Sequence, residues 1–391
     1  MITLEEALQI VLSSARPLDN ERVDLRASRG RVLAEDVASD MDMPPFDKSL
    51  VDGYACRRAD LAGELKVIET IQAGTPPAKS VGPGRCAKIM TGAAIPAGAD
   101  CVVMIEHAED VGLRTIRCTN RQKCDNIARK ASDVKAGQVV LASGSLIAPQ
   151  HIAVLASAGC TQPLVAKRPR VALIAGGDEL VDAAARPGPS QIRNSNSFQL
   201  AAQLEAMGAA VRDYGMVKDV PADIDRVLKT AMAENDVIVI SGGVSVGDFD
   251  FVPSILRQNN VELLFEKIAV KPGKPTVFGV GDKVFCFGLP GNPVSTYVTF
   301  ELLVKPFLYK LMGHDYSPVC IQMRLSESVT RKNSERQSWI PVEITGETFV
   351  RPVEYKGSAD VLALCRADGL ISMDIGITNI ERGTHTSVRL L

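Results

Sequence analysis

The chain has 391 residues, of which 46% are hydrophobic and 23% are charged, and its formal net charge is −2. Because this length exceeds what one hydrophobic core of ordinary size accommodates, we expect roughly two to four domains. The near-neutral charge argues against a general binder of nucleic acid or of anionic membranes.

The first part of the chain is predicted to form one helix followed by many short strands. Residues 3–15 have the spacing of a capping box, Thr3 to Glu6, and an apolar stripe that is typical of an amphipathic helix. From about residue 30 to 165, short apolar runs alternate with glycine and proline, which predicts a β-rich region with more than one lobe. Residues 151–160 are predicted to form a small helix.

From residue 170, apolar runs alternate with helical patterns. RVALIA (170–175) and DVIVI (236–240) are predicted strands, residues 195–209 are a predicted helix, and residues 293–313 are predicted to form a long closing helix. This alternation predicts a doubly wound α/β domain. Short strands separated by turn residues return after residue 314 and predict a small β domain.

The cysteines and histidines give no sign of a disulfide framework or a metal cage. The nine cysteines form no CxxC pair, and the four histidines are isolated from one another. This usage is typical of reduced thiols in a cytosolic protein. No apolar run reaches membrane-spanning length and the N-terminus has no signal-peptide pattern, so we predict a cytoplasmic protein.

Three glycine-rich loops follow predicted strands of the α/β region. They are AGGDELV (175–181), SGGVSVGDFDF (241–251) and GLPGNPVS (288–295). In open α/β sheets, ligands bind beyond the carboxyl ends of the strands, where glycine lets backbone N–H groups approach phosphate. Each loop taken alone has a simpler interpretation, a turn that caps the next helix.

Charged residues in a fourth segment and in these loops suit an oxyanion and a metal ion. Lys271 and Lys274 lie in KPGKP (271–275) and are compact cations, although a hairpin turn with solvated lysines fits that segment alone. The acids of these loops, Asp178, Glu179, Asp248 and Asp250, carry hard oxygen atoms of the kind Mg²⁺ prefers, with helix capping as the alternative for one or two of them. GLPGNP lacks the Lys-Ser/Thr of a Walker A loop.

The β-rich half has three motifs of its own. PPFDKSLVDGYA (44–55) is stiffened by prolines and carries two aspartates, which is unusual in a linker. TGAAIPAGAD (91–100), read alone, fits a turn at a strand end. NIARKASDV (126–134) offers basic and hydroxyl contacts to an oxyanion, with a solvated charged loop as the alternative.

Taken together, these motifs are recognisable. PPFDKSLVDGYA, IMTGAAIPAGADCVVMIE, GDEL, SGGVSVGDFDF, KPGKP and GLPGNPVS occur in this order and at spacings that resemble the molybdopterin molybdenumtransferase family, which includes bacterial MoeA and the gephyrin E domain. The resemblance implies a multidomain α/β plus β fold. It implies an elongated N-terminal and linker domain (1–53 with 134–166) that carries an inserted β-rich domain (54–133). An α/β molybdopterin-binding domain (167–313) and a C-terminal β domain (314–391) follow.

The resemblance also implies an activity. Members of this family convert adenylylated molybdopterin and molybdate into molybdenum cofactor and AMP, with Mg²⁺, in the last common step of molybdenum cofactor biosynthesis. They form homodimers in which the α/β domain of one subunit faces the N-terminal β lobe of the other across the active cleft. The molybdopterin adenylyltransferase and apo-molybdoenzymes are the partners that this implies, with no role for nucleic acid or membrane.

The family's functional residues map onto this sequence position by position. The implied catalytic residues are Asp52, Thr91, Asp133, Glu179, Asp236 and Asp250. The implied substrate-binding residues are Gly242, Gly243, Ser245, Lys271, Lys274, Pro290, Gly291, Asn292, Pro293 and Ser358. Glu179 and Asp250 are the implied metal ligands.

Three positions depart from the family pattern. Arg336 and Trp339 fit a C-terminal motif, but Pro341 stands where a second arginine, a molybdate ligand, is expected. Ser132 replaces a usual glycine, and AGGDEL replaces STGDEL. Two alternatives therefore stay open: a non-catalytic paralogue that binds or carries molybdopterin or the finished cofactor, and the related adenylylating α/β family, against which the flanking β domains argue.

Overall fold

A computed structural model describes residues 1–121, 125–244 and 251–391 of the chain. The first helix, α1, spans Leu4–Ser14 and begins with the predicted capping box, in which Thr3 and Glu6 bond each other's backbone N–H. Its buried residues Ala7 and Val11 pack into the core of the α/β domain. The N-terminal helix is therefore anchored to a domain that lies much later in the chain.

The β-rich region that follows contains twelve of the strands that the structure describes. They are β1 (Asn20–Arg22), β2 (Val37–Ala38), β3 (Lys48–Ser49), β4 (Gly53–Cys56), β5 (Glu64–Ile71), β6 (Arg85–Ile89), β7 (Cys101–Met104), β8 (Ala108–Gly112), β9 (Thr115–Cys118), β10 (Ile127–Ala128), β11 (Val139–Leu141) and β12 (Leu164–Ala166). Helix α2 spans Pro149–Ser157 and corresponds to the small helix predicted there.

One six-stranded sheet, ordered β7-β4-β6-β5-β9-β8, lies wholly within residues 53–118. Only β5 and β6 run parallel within it. Three short antiparallel pairs, β1 with β12, β2 with β11 and β3 with β10, join the chain before this sheet to the chain after it. The sheet is thus inserted between two halves of one lobe.

The α/β domain contains β13 to β21 and α3 to α7. Its strands are β13 (Arg170–Gly176), β14 (Leu180–Val181), β15 (Ile192–Arg193), β16 (Ala210–Val217), β17 (Val237–Ser241), β18 (Glu262–Phe265), β19 (Val270–Lys271), β20 (Val277–Val280) and β21 (Phe285–Leu289). Its helices are α3 (Asn196–Ala206), α4 (Pro221–Glu234), α5 (Val252–Gln258), α6 (Pro293–Thr299) and α7 (Lys305–Leu311).

Its sheet has the order β16-β13-β17-β21-β20-β18. The first four strands are parallel, and β20 is antiparallel to both of its neighbours, β21 and β18. Alternate strand residues face opposite layers: Val237 packs with the core of α1, α3, α6 and α7, whereas Ile238 packs with α4 and α5. Helices on both faces of a mostly parallel sheet confirm the predicted doubly wound domain.

The long closing helix predicted for residues 293–313 is interrupted. A π-helical turn, Phe300–Val304, separates α6 from α7. Pro306 lies in the first turn of α7, where it has no N–H to donate and its ring opposes the carbonyl one turn earlier. The wider π turn fits this position because it breaks the regular α-helical hydrogen-bond ladder there.

The C-terminal domain is a small β domain, as predicted, and its main sheet closes into a barrel. Its strands are β22 (Cys320–Leu325), β23 (Val329–Thr330), β24 (Gln337–Thr345), β25 (Phe349–Pro352), β26 (Gly369–Met373), β27 (Asn379–Ile380) and β28 (His385–Leu390). The order β24-β25-β22-β28-β26 closes through pairing of β26 with β24. Strand β19 joins the edge of β24, so the barrel is tied to the α/β domain through the segment that carries Lys271. None of the helices formed by the described residues is long and apolar enough to cross a membrane.

Candidate active site

The carboxyl ends of three neighbouring strands meet at one edge of the α/β sheet. Strand β17 lies between β13 and β21, and its last residue, Ser241, is in register with Ala175 and Leu289. The chain continues from these ends into Gly176, Gly242 and Pro290, the starts of the three glycine-rich loops. The structure therefore brings together three loops of which the first and last are more than 100 residues apart in the sequence.

Gly242 is required by the close approach of two of these loops. Its φ is +91°, and a Cβ atom there would lie 2.3 Å from the carbonyl oxygen of Gly176. Its N–H donates to the carbonyl of Leu289 at 3.1 Å. Gly243 also has a positive φ, +68°. Glycine at the end of β17 thus permits contact between all three strand ends.

Two adjoining clefts open at this edge. One has a volume of about 280 Å³ and extends along Glu179, Asn196 and Asn292 to Val361 of the C-terminal domain. The other, of about 240 Å³, is lined by Gly242, Gly243, Pro275 and Pro290. Both include Gly176, Glu179 and Gly291, so these residues form the boundary between the two clefts. Among the predicted catalytic acids within the described residues, Glu179 alone lines these clefts.

The C-terminal domain completes one wall. Asn292 Nδ2 donates to Ser358 Oγ at 2.8 Å, and the N–H of Val294 donates to the Ser358 carbonyl at 3.0 Å. Pro293, between them, lines the larger cleft together with Ala359. Ser358 is therefore held against the GLPGNP loop, although 66 residues separate it from Asn292.

The KPGKP loop packs beside the smaller cleft. Lys271 and Lys274 are exposed. Gly273 has a φ of +124°, and a Cβ there would lie 2.4 Å from Cγ2 of Thr299, at the end of α6. Pro275 lines the cleft itself. This tight contact fixes the backbone between the two lysines against the helix that follows the GLPGNP loop.

Asp52, directly before β4, and Thr91, shortly after β6, form a pair beside the inserted sheet. Asp52 Oδ1 accepts hydrogen bonds from the N–H and from the hydroxyl of Thr91, both at 2.7 Å. The Thr91 N–H, and then its hydroxyl, lower the pKa of the Asp52 carboxyl. Asp133 follows β10 and accepts from Ser132 Oγ at 3.0 Å. In the described part of the chain, no hydrogen bond or ion pair joins these three predicted residues to the cleft of their own subunit.

Asp236 lies at the opposite end of the sheet from the cleft. It precedes β17, at the amino ends of the strands, whereas Gly242 follows the same strand. Its carboxylate accepts from the N–H of Arg170 at 2.8 Å and from the Arg170 guanidinium at 2.6 Å. Hydrogen bonds to Asp236 raise the pKa of Arg170. The remaining predicted residues, Ser245 and Asp250, lie outside the described residues.

Pro341 is accommodated in the middle of β24. It is buried and opposite Leu370 of β26. Its carbonyl accepts from the N–H of Val353 at 2.9 Å, beyond the last ladder pair with β25, Val342 with Pro352. The N–H and C=O of a strand residue face the same neighbouring strand, which for Pro341 is β25. The N–H that proline lacks would therefore lie beyond the last ladder pair between β24 and β25, where no ladder bond is lost. Arg336 Nη1, near the start of the same strand, donates to the Val270 carbonyl at 3.3 Å.

Sequence reasoning missed Asn196, the first residue of α3. Its side chain lines the larger cleft and bonds to both Ser241 and Gly291. Its only sequence signal is an asparagine at a predicted helix start, a position that capping alone explains.

The fold and the cleft together define a multidomain ligand-binding protein of the doubly wound α/β class, with glycine-rich strand ends and flanking β domains. Family models match most of the chain: "MoeA N-terminal region (domain I and II)" at residues 2–159, "Probable molybdopterin binding domain" at 172–310 and "MoeA C-terminal region (domain IV)" at 322–391. The chain belongs to the MoeA, or molybdopterin molybdenumtransferase, family, as the motifs predicted.

Individual relatives are similar over nearly their whole length. A molybdopterin molybdenumtransferase of Staphylococcus epidermidis is 36% identical, with 100% of this chain and 95% of the relative covered. One from Staphylococcus aureus is 38% identical, with 98% and 94% covered. The crystal structure of a molybdopterin biosynthesis MoeA protein from Pyrococcus horikoshii superposes with a TM-score of 0.88 at 30% identity, covering 100% of both chains. The prediction of a transferase of this family is confirmed.

Proposed function

We propose that this protein transfers molybdenum from molybdate to adenylylated molybdopterin and releases AMP and molybdenum cofactor. The observation that carries the proposal is the bond between Asn292 and Ser358, which joins the C-terminal domain to the strand-end cleft. It unites a glycine-rich phosphate-binding edge with a hydroxyl from a second domain. Whole-length similarity to relatives named for this activity supports the same assignment.

The cleft residues supply binding and orientation. Backbone N–H groups of the three glycine-rich loops suit the phosphates of the substrate, and Lys271 and Lys274 suit the molybdate dianion. Two anions must be held close to each other against their repulsion, so positioning is the main task of this site. Water then attacks the phosphoanhydride, and AMP is the leaving group.

Magnesium fits the donors present. The described residues contain no group of three histidine, cysteine, aspartate or glutamate side chains that would hold a metal ion. Mg²⁺ is commonly bound by one or two carboxylates with phosphate and water completing the shell, and Glu179 in the cleft is suited to that role. When bound, Mg²⁺ offsets negative charge on the phosphoanhydride.

We also propose a homodimer in which Asp52, Thr91 and Asp133 act in the cleft of the other subunit. Two hydrogen bonds from Thr91 hold the Asp52 carboxylate in one orientation, although within the described residues no hydrogen bond joins either residue to the cleft of its own chain. Such preorganisation is expected of a group that works on a substrate. Substrate supply by the molybdopterin adenylyltransferase and delivery to apo-molybdoenzymes, in the cytoplasm, follow from the same reaction.

A second candidate is a non-catalytic carrier of molybdopterin. It is favoured by Pro341, which removes the expected molybdate-binding arginine from a buried position in β24. A carrier would keep the glycine-rich cleft and lose the capacity to insert metal.

One assay separates the two candidates. Purified protein is mixed with adenylylated molybdopterin, Mg²⁺ and molybdate, and both AMP and pterin-bound molybdenum are measured. AMP and molybdenum appearing together support the transferase. Tight pterin binding with neither product supports the carrier, and absence of binding contradicts both.

A further inference from the structure

The side-chain amide of Asn196 joins three segments at the floor of the larger cleft. Its Nδ2 lies 2.7 Å from Ser241 Oγ, at the end of β17, and 2.7 Å from the Gly291 carbonyl, in the GLPGNP loop. Thr296 Oγ1, on α6, is a more distant acceptor at 3.5 Å. An amide nitrogen has two hydrogens, so the two short bonds use its full capacity as a donor.

The orientation of this amide is fixed by its partners. The Gly291 oxygen is a carbonyl and only accepts, so Nδ2 and not Oδ1 must face it. Oδ1 is buried and has no hydrogen-bond partner among the described residues. A buried acceptor left without a partner is unfavourable. The two bonds that Nδ2 donates hold the side chain in place despite this cost.

One bond ends on Ser241, next to predicted substrate-binding backbone, and the other ends on Gly291, itself a predicted substrate-binding residue. Ser241 immediately precedes Gly242 and Gly243, and Gly291 immediately precedes Asn292, which holds Ser358. A shift of either loop would move the backbone N–H groups and the C-terminal wall relative to each other. We propose that Asn196 is a positioning residue, which sets the spacing between the β17 and GLPGNP loops for the reaction. This inference rests on the proposed function.

The test is Asn196→Asp, which preserves size and removes the donors when the new carboxyl is ionised. The carboxylate oxygen then faces the Gly291 carbonyl, and displaced loops lower kcat for AMP release by about 10- to 100-fold, with a smaller change in KM. Lower pH protonates the carboxyl and restores one donor. The ratio of variant kcat to wild-type kcat therefore rises as pH falls, a response that general destabilisation would not produce.

Asn235→Asp is the matched control. Asn235 is buried, and its Nδ2 also donates to one hydroxyl, that of Tyr214, and to one carbonyl, that of Ala231, both at 2.9 Å. It lies at the opposite end of β17 from the cleft. We expect this control to lower the melting temperature without changing kcat or its pH profile. Ser241→Ala is the second variant, which removes one of the two short bonds and has a smaller defect of the same kind should Asn196→Asp fail to fold.

The outcomes separate this inference from the proposed reaction. Wild-type AMP release with unaltered kcat in both the Asn196 and Ser241 variants overturns the inference and leaves the reaction standing. If the wild type binds molybdopterin without releasing AMP, the reaction fails and calorimetric Kd for molybdopterin decides the inference. In that case tenfold weaker binding by Asn196→Asp, and not by Asn235→Asp, supports it; equal Kd values overturn it. A wild type that binds no molybdopterin overturns both.

Discussion

Asn292 of the α/β domain and Ser358 of the C-terminal domain are joined by a hydrogen bond of 2.8 Å at the mouth of the candidate active site. The backbone carbonyl of Ser358 also accepts from the N–H of Val294, at the start of α6. Two bonds at one serine mean that the barrel approaches the cleft at a defined point. The position of the C-terminal wall thus depends on a residue that the family resemblance assigns to substrate binding.

Removing that hydroxyl should affect substrate binding more than folding. Ser358→Ala keeps the backbone bond to Val294 and loses the bond from Asn292, a change of about 0.5–1.5 kcal/mol in stability. We expect a higher KM for molybdate with a nearly unchanged melting temperature, measured by steady-state kinetics and thermal unfolding. Ser13→Ala on α1, which loses one hydroxyl bond to a backbone carbonyl, is the control. Equal KM values in both variants would remove Ser358 from the site.

Gly242→Ala should separate the strand-end loops. The new Cβ would lie 2.3 Å from the Gly176 carbonyl oxygen, so the β13 and β17 loops must move apart. Gly74→Ala is the control, because Gly74 also has a positive φ, +80°, but a Cβ added there would meet no other atom within 4 Å. The control should cost about 1–2 kcal/mol from backbone strain alone and leave kcat unchanged. Gly242→Ala should lose more stability and most of its activity; identical behaviour of the two variants contradicts the close-approach argument.

The Asp52–Thr91 pair gives a prediction for pH dependence. Bonds from Thr91 lower the pKa of Asp52, so the ionised form is favoured, and the associated stabilisation is lost as pH falls through that lowered pKa. Thr91→Val removes the hydroxyl bond and keeps the N–H bond, which raises the Asp52 pKa. The acid limb of the kcat profile should then move to higher pH.

Thr91→Ser is the control for that experiment because it preserves the hydroxyl. Its pH profile should coincide with that of the wild type. A Thr91→Val profile with the same acid limb as the wild type would mean that ionisation of Asp52 does not govern the rate.

Asp236→Asn distinguishes a structural role from the catalytic role that the motifs implied. The carboxylate pairs with Arg170 at the amino ends of the strands, away from the cleft. We expect a loss of about 1 kcal/mol in the free energy of unfolding and no change in kcat. Denaturant unfolding and AMP release measure the two quantities. Strong loss of activity with normal stability would support the catalytic assignment and contradict a purely structural role.

Local patterns made part of this site predictable from sequence. Glycine after an apolar strand needs no knowledge of distant residues, so Gly242 and Gly291 were found from strand pattern and loop composition. Asn196 was not, because its partners lie 45 and 95 residues away and nothing local distinguishes it from a helix cap. Asp236 differs in another way. The family match groups it with the site residues, whereas the parallel sheet places it at the amino end of β17, a strand length from Gly242. Its catalytic role stays a prediction.

Arg336 is the remaining arginine of the C-terminal motif. Its replacement tests whether it binds molybdate in place of the arginine expected at the position of Pro341. Its guanidinium donates to the Val270 carbonyl, and Val270 immediately precedes Lys271 in β19. Arg336→Gln should therefore raise the KM for molybdate several-fold, because it removes a positive charge beside the KPGKP loop. AMP release at saturating molybdate should change little, since the proposed function assigns the phosphates to the glycine-rich loops and not to Arg336.

Arg366→Gln is the matched control for Arg336→Gln, because Arg366 also donates one hydrogen bond to a backbone carbonyl, that of Glu354, at 3.0 Å. Both variants lose one charge and one such bond, so a molybdate KM that rises only in Arg336→Gln reflects position and not net charge. An equal KM in both would mean that Arg336 serves only to anchor β24 to β19. Molybdenum binding would then depend on the two KPGKP lysines and Ser358, a set without any arginine fork for a bidentate contact.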